Sequence, residues 1–227
     1  MKDSVLYEDN HIIIINKKPS EIVQGDKSGD TTLSDIVKEY IKEKYNKPGK
    51  VFLGVVHRID RPVSGIVIFA RTSKSLSRLN AMLKDRSIQK YYWAVIKTTP
   101  KKTSAHLIHY LRRDSQKNKS FAYNKEVKNS KKAELKYELI SRSDNYSLLQ
   151  IILITGRHHQ IRAQLSAIGC PVKGDLKYGS PRSNKNASIH LHARKVEFIH
   201  PVSKEKISIV APPPDDPLWD YFLTQST

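Results

Sequence analysis

Between two apolar segments, Val55-Val56 and Ile66-Val67-Ile68-Phe69, the chain places His57, Arg58, Asp60 and Arg61 on one short connection. Buried charge is costly unless it is paired, hydrogen-bonded or put to use. This stretch therefore constrains the fold more than any other. Ordered apolar segments on both sides must present a short, charged loop. Pro62-Val63-Ser64-Gly65 supplies the turn back into a strand over 66–69. An acidic residue between two arginines has two readings at this point. Asp60 is either a loop staple, salt-bridged to Arg58 or Arg61, or a carboxylate whose chemistry requires it there.

The surrounding sequence reads as alternating elements. Residues 5–16 suit one or two strands, with Ile12–Ile15 as a buried β-branched run that Lys17-Lys18-Pro19 ends. Thr32 is the expected N-cap of a helix, with Asp35 three residues on. Leu33, Ile36, Val37, Tyr40 and Ile41 follow at helical spacing, and Lys47-Pro48-Gly49 stops them. Ser73 is expected to cap a second helix, striped by Leu76, Leu79 and Leu83. Residues 91–96 read as a strand, 133–139 alternate as a half-buried strand, and 146–154 form another.

Thr155-Gly156-Arg157 is expected to open a third helix, with Ile161, Leu165 and Ile168 buried and Gly169 as its stop. A Gly/Pro/Ser/Asn-rich loop then precedes strands near 189–199 and 205–211. Pro212-Pro213-Pro214 breaks the pattern before a short piece carrying Trp219 and Phe222. Without regular βαβ alternation, the expectation is an α+β domain: a mixed, largely antiparallel sheet with flanking helices. No repeat or long linker appears, so residues 1–227 read as a single domain with a basic excursion near 112–132.

Charge narrows the partner. Lys+Arg number 40 against 22 Asp+Glu, a formal charge of +18. These cations run through patterned, core-containing sequence and do not form a tail. Such basicity points to a polyanion, above all nucleic acid; the competing reading is a generally solubilising surface. Within 112–136, nine Lys+Arg accompany three acidic residues, with Phe121 and Tyr123 interspersed. The one cysteine, Cys170, excludes an intrachain disulfide and a thiolate zinc site. No long apolar span or signal-peptide pattern occurs at the N-terminus, so a soluble, cytoplasmic protein is expected.

Several chemistries are set aside at this level. His57-Arg58-Ile59-Asp60 differs from the kinase His-Arg-Asp because Ile59 interrupts it, no Asn follows at the required place, and no GxGxxG loop exists. Nine histidines, including His158-His159 and His190-x-His192, raise a metal hydrolase or nuclease, but no acidic cluster of ligand-like spacing accompanies them. Ser64 lacks a GxSxG elbow and reads as a turn serine.

The stretch His57-Arg58-Ile59-Asp60-Arg61-Pro62-Val63-Ser64-Gly65 resembles HRLDxxTSG, the hallmark of the RluA-type family of RNA pseudouridine synthases. Other motifs extend the resemblance over roughly residues 10–205. Asn16-Lys17-Lys18-Pro19 is similar to the family's Asn-Lys-Pro turn, and Lys90-Tyr91-Tyr92-Trp93-Ala94 matches KxYxA. Thr155–Arg162 matches TGRxHQIR. Pro171-Val172-Lys173-Gly174-Asp175 with Tyr178-Gly179 matches Pro-x-x-Gly-Asp…Tyr-Gly, and Leu191-His192-Ala193 with His200-Pro201 matches LHA…HP. Glu21 departs from the pattern, standing where many relatives have Gly. On this resemblance the chain is expected to hold the catalytic domain alone, without the N-terminal S4-like domain of some relatives.

The resemblance implies the pseudouridine synthase fold, with a catalytic cleft, and isomerisation of uridine in ribosomal RNA, transfer RNA or both. It implies catalytic roles for Asp60, Tyr92 and Arg162, and substrate contacts from His57, Arg58, Arg61, Arg157, His158, Gln160 and Leu191. No cofactor, metal, membrane or obligate protein partner is implied, and a monomer is the default. The reaction breaks N1–C1′, turns the uracil and joins C5 to C1′, which calls for a carboxylate as nucleophile or base. Asp60 is that candidate, by a covalent adduct or a glycal route. An ionised Asp away from water needs a positive partner, for which Arg162 is expected at the margin of the third helix's apolar stripe, with His158 on the same face. Tyr92 is expected to stack on uracil; strand alternation sends Tyr91 the other way. Leu191 would wall the base, and Arg58 would fill the space of the flipped nucleotide. The 112–136 cations either hold phosphate or form a solvated face. A non-catalytic RNA-binding or assembly factor on the same fold is the alternative.

Overall fold

In the computed structural model, residues 1–25 and 29–225 are described. Strands β1 (Val5–Glu8) and β2 (Ile12–Lys17) precede helix α1 (Leu33–Lys44), and β3 (Gly54–Val55) and β4 (Ser64–Ala70) precede α2 (Ser73–Lys84). Strands β5 (Gln89–Ile96), β6 (Ser104–Asp114), β7 (Lys119–Tyr123), β8 (Lys131–Arg142) and β9 (Ser147–Leu153) follow. Helix α3 (Gln160–Ala167), β10 (Leu191–Ile199), β11 (Lys206–Val210) and α4 (Pro217–Gln225) complete the order. The chain forms two compact units: Met1–Ile88 with Ala193–Pro213, and Gln89–His192 with Pro214–Thr227.

In the first unit the strand order is β1-β2-β4-β10, with β11 on β10 and β3 on β4. The pairs β1–β2, β2–β4, β3–β4 and β10–β11 are antiparallel. Ile12 to Ile15 are each fully buried, so both faces of β2 are covered, which is what a continuous apolar run requires. Thr32 caps α1 in a capping box with Asp35. Helix α2 is capped one residue earlier than expected. Thr72, not Ser73, has the extended backbone and accepts the Ser75 N–H. The Ser75 hydroxyl also donates to the His11 carbonyl at 2.7 Å, tying α2 to the turn that begins β2.

The second unit is an antiparallel sheet ordered β5-β9-β8-β6-β7. Side chains opposite one another across a ladder share a face. Tyr92 pairs with Ile151 and Ile151 with Tyr137; along β8 that face continues through Leu135 and Ala133 to His109 and Leu111 on β6. Helix α3 lies on it: Ala163 packs with Leu111 and Ala133, and Gln164 lies 3.0 Å from His109 Nδ1. Trp93 and Leu148 point the other way, into a cluster with Trp219 and Phe222 of α4. The C-terminal piece is thus a helix, its Trp219 and Phe222 three residues apart on one buried face.

Helix α3 begins at Gln160, later than its sequence spacing suggested. Thr155 to His159 stay a loop because Gln160 gives its side chain to that loop's backbone, and His159 turns left-handed at φ 52°. Nearly the whole helix is buried. Arg162 is only 5% exposed, inside the structure and not at the margin of a stripe.

Candidate active site

Each unit holds part of the candidate residue set. In the first, Val63 N–H closes a four-residue turn onto the Asp60 carbonyl at 3.0 Å, so Asp60 opens a tight turn with Arg61 and Pro62 at its centre. The next carbonyl, that of Arg61, accepts from Ser20 N–H at 2.9 Å and from the Lys17 ammonium at 3.2 Å. Lys17, at the end of β2, also donates to the carbonyls of Lys18 and Glu21, both at 2.8 Å. This ammonium is almost wholly buried. Burial pushes its pKa down to about 8, against the opposing pull of the Glu21 and Asp60 carboxylates. Glu21, unusual in the motif, uses its carboxylate to accept Lys18 N–H at 2.8 Å. The turn is held by that side chain, with Ser20 taking the positive φ of 71°.

His57 is half-buried, and its Nε2 accepts the Ile68 N–H of β4 at 3.2 Å. That ring thus serves the strand backbone between the β3 and β10 pairings. Arg58 is exposed, and Arg61 forms an exposed ion pair with Asp30 at 3.0 Å. Asp60 is half-buried on its turn.

In the second unit, the face of the sheet under α3 carries Tyr92, 7% exposed, and Arg162 projects from α3 itself. Arg162 grips Asp175 through two hydrogen bonds, Nε to Oδ2 at 2.6 Å and the terminal nitrogen to Oδ1 at 2.9 Å. Its guanidinium also lies over the Tyr178 ring, 4.9 Å from the centroid. Lys90, two residues before Tyr92, shares its sheet face. A Cβ added at Gly156 would stand 3.7 Å from the Lys90 ammonium, whose pKa burial lowers.

The Thr155–Gln160 loop is self-supporting. Gln160 Oε1 accepts from the Thr155 hydroxyl at 2.7 Å and Arg157 N–H at 3.0 Å, while its amide donates to the Glu134 carbonyl. Gln160 is buried and holds the exposed Arg157, whose Nε reaches the Lys132 carbonyl at 3.1 Å. His158 precedes the helix and bridges to the β6–β7 hairpin through Ser120 Oγ at 2.9 Å and Asn118 Oδ1 at 3.1 Å. His159 stacks on it and meets the Tyr178 hydroxyl at 3.0 Å. Burial and the neighbouring cations, Arg162 first, push the His159 pKa down to about 2, so its ring is neutral. The Tyr178 hydroxyl also accepts Ser120 N–H at 2.8 Å, and Lys177 donates to the Asn118 carbonyl. Leu191 is buried in this unit, its N–H on the Ile189 carbonyl.

Sequence reasoning passed over the roles of Lys17 and Asp175. The signal for Lys17 was its place at the end of a wholly apolar strand, where a long cation turns back onto open carbonyls. Asp175 lay inside a matched motif, yet its bidentate pairing with Arg162 spans thirteen residues that no local pattern connects. Among the described residues no group of His, Cys, Asp and Glu is arranged to hold a metal ion, and no helix is long and apolar enough to cross a membrane.

A sequence profile described as RNA pseudouridylate synthase matches residues 11–167. A ribosomal large subunit pseudouridine synthase C from Vibrio vulnificus (strain CMCP6) is 30% identical over 222 residues, covering 93% of this chain and 66% of that protein. An uncharacterized RNA pseudouridine synthase from Synechocystis is 32% identical, covering 92% and 65%. A ribosomal large subunit pseudouridine synthase D from Zymomonas mobilis is 31% identical, covering 93% and 69%. The chain thus spans about two thirds of the length of these relatives. The solved structure of human RNA pseudouridylate synthase domain containing 4 superposes with a TM-score of 0.80 at 21% identity, over 99% of this chain and 93% of that one. That likeness establishes the fold.

Proposed function

Since the chain belongs to the RNA pseudouridylate synthase family, we propose that it isomerises uridine to pseudouridine in RNA, with ribosomal RNA as the first substrate class and transfer RNA as the second. The observation that carries this reading is the Asp60 turn. A half-buried carboxylate stands on a hydrogen-bonded turn whose next carbonyl is pinned by Ser20 and by the buried Lys17 ammonium. Such pinning suits a group that must meet a reacting atom in one position.

In the proposed reaction the N1–C1′ bond breaks, the uracil turns, and C5 joins C1′; the C5 proton leaves and N1 regains one, so nothing is gained or lost overall. Asp60 acts as nucleophile or base in this sequence. Tyr92 stacks on the uracil and Arg162 supplies the positive charge an ionised carboxylate needs. Asp175 and Tyr178 act on Arg162 as positioning residues. Arg58, exposed beside Asp60, takes the place of the flipped base. Arg61 and Arg157, both exposed, contact phosphate, and Leu191 walls the base. His57, His158 and Gln160 support these groups through the backbone and hairpin bonds they make. None of these steps calls for a cofactor, and the chain is proposed to act as a monomer.

The test is to map pseudouridine in total RNA from cells lacking the protein, and from the same cells carrying wild type or Asp60→Asn. Restoration by wild type alone, with the variant binding RNA as tightly, supports the assignment. Full restoration by Asp60→Asn removes Asp60 from the chemistry. Unchanged RNA in all three leaves the non-catalytic RNA-binding reading in its place.

A further inference from the structure

The sheet of the second unit has one face under α3, and α4 covers the Trp93 and Leu148 end of the other. Over β6 and β7 that second face is open and has an unusual composition. Tyr110 stands opposite Tyr123, and Arg112 opposite Phe121, in adjacent rows about 7 Å apart. All three aromatics are half-buried, and Ile108 in the next row is 44% exposed. The Arg112 guanidinium lies 5.3 Å from the Tyr123 ring centroid, while the Lys119 ammonium sits at the strand's rim, 5.6 Å from the Phe121 centroid and 5.1 Å from that of Tyr178 on the α3 side. Among the described residues Arg112 forms no ion pair, and Lys119 forms none although Asp114 stands opposite it across the ladder. Glu134, opposite Ile108 on β8, is taken up by Lys132 at 2.9 Å and His106 at 3.4 Å.

We propose that this face is a stacking platform for single-stranded RNA flanking the modified uridine, engaged from the side of the sheet opposite Arg162. Flat aromatic rings on a strand face accept unstacked bases of any identity, and a cation between them, here Arg112, follows the phosphates. Duplex RNA offers no exposed base faces to such a surface. A second copy of the chain would bring the same cations against it and be repelled. The choice of RNA rests on the synthase reading, but binding is measured without turnover.

The test uses the full chain and a fluorescein-labelled oligouridylate about ten nucleotides long. Phe121→Leu with Tyr123→Leu keeps apolar cover while removing the π faces. It should bind on the order of 10-fold more weakly, with unfolding unchanged. Arg112→Gln should reduce the dependence of affinity on salt, and Phe121→Tyr should bind as wild type. Photocross-linking of 4-thiouridine oligomers should label the peptide spanning residues 119–123. Equal affinity in the Leu variant, or cross-links confined to other segments, overturns the platform. So does wild type self-associating where the Leu variant is monomeric, which assigns the face to a second copy. A chain that makes pseudouridine yet binds equally in the Leu variant keeps the synthase reading and loses this one; the reverse result keeps the platform and loses the synthase.

Discussion

Replacing Asp175 with Asn should be among the most damaging single changes away from the Asp60 turn. The Arg162–Asp175 pair is sealed from solvent, with side chains 6% and 1% exposed. Asn presents an N–H₂ to the guanidinium at one of the two carboxylate positions and carries no charge. Two charge-assisted bonds, worth about 1.5–3 kcal/mol each, are then lost or reversed. Breaking a buried pair from one side costs about 3–5 kcal/mol for the same reason, since the remaining ion stays buried. Against a total of about 5–15 kcal/mol for a domain, that is at least about a fifth of the stability. Urea unfolding followed by circular dichroism would read the loss as a fall in midpoint. Arg162→Met should cost a similar amount by leaving the Asp175 carboxylate alone. The double variant should fall well short of the sum, by at least about 1 kcal/mol of coupling. A change below about 1 kcal/mol for Asp175→Asn, or strict additivity in the double variant, would refute the pairing as the element that holds Arg162.

Two further outcomes concern the first unit. Lys17 has a folded pKa of about 8 against 10.5 when free. Between those values the unfolded chain binds more protons, so stability rises with pH across that window, by on the order of 3 kcal/mol in full. Lys17→Met should remove this rise, and parallel unfolding profiles for variant and wild type from pH 8 upward would count against the buried ammonium. Gly65 has φ +108°, and a Cβ there would stand 2.6 Å from the Ala193 nitrogen. Gly65→Ala should therefore lose about 2–5 kcal/mol through backbone strain and overpacking, seen as a lower unfolding midpoint. An unaltered midpoint would mean that β4 and β10 separate easily at that point.

Legibility in the sequence tracked the range of the interactions. The Ile12–Ile15 run, the Thr32 cap and the Gly169 stop are local signals, and each stands in the structure where its pattern put it. The largely antiparallel architecture was readable because strands and helices follow one another without regular βαβ alternation. The start of α3 was misread because Thr155-Gly156-Arg157 carries the composition of a helix entry. The loop is kept open by the Gln160 side chain, bonded to Glu134 on another strand. The α4 helix was hidden behind Pro212–Pro214, since a breaker ends one element without defining the next. At the candidate site, residue types were visible but their partners were not. Arg162 reads as a helix cation, and only the folded chain brings Asp175 and Tyr178 to it.

The bond between Ser120 N–H and the Tyr178 hydroxyl has a consequence outside the reaction. Strand β7 ends its sheet, so among the described residues one rim of its backbone has no neighbouring strand. An open rim invites another molecule to add a strand, and from there to aggregate. Here Tyr178 occupies the Ser120 N–H and Lys177 the Asn118 carbonyl. The residue that orients His159 and lies against Arg162 is therefore also a gatekeeper. A Tyr178→Phe chain, lacking that hydroxyl, should lose solubility first at high concentration.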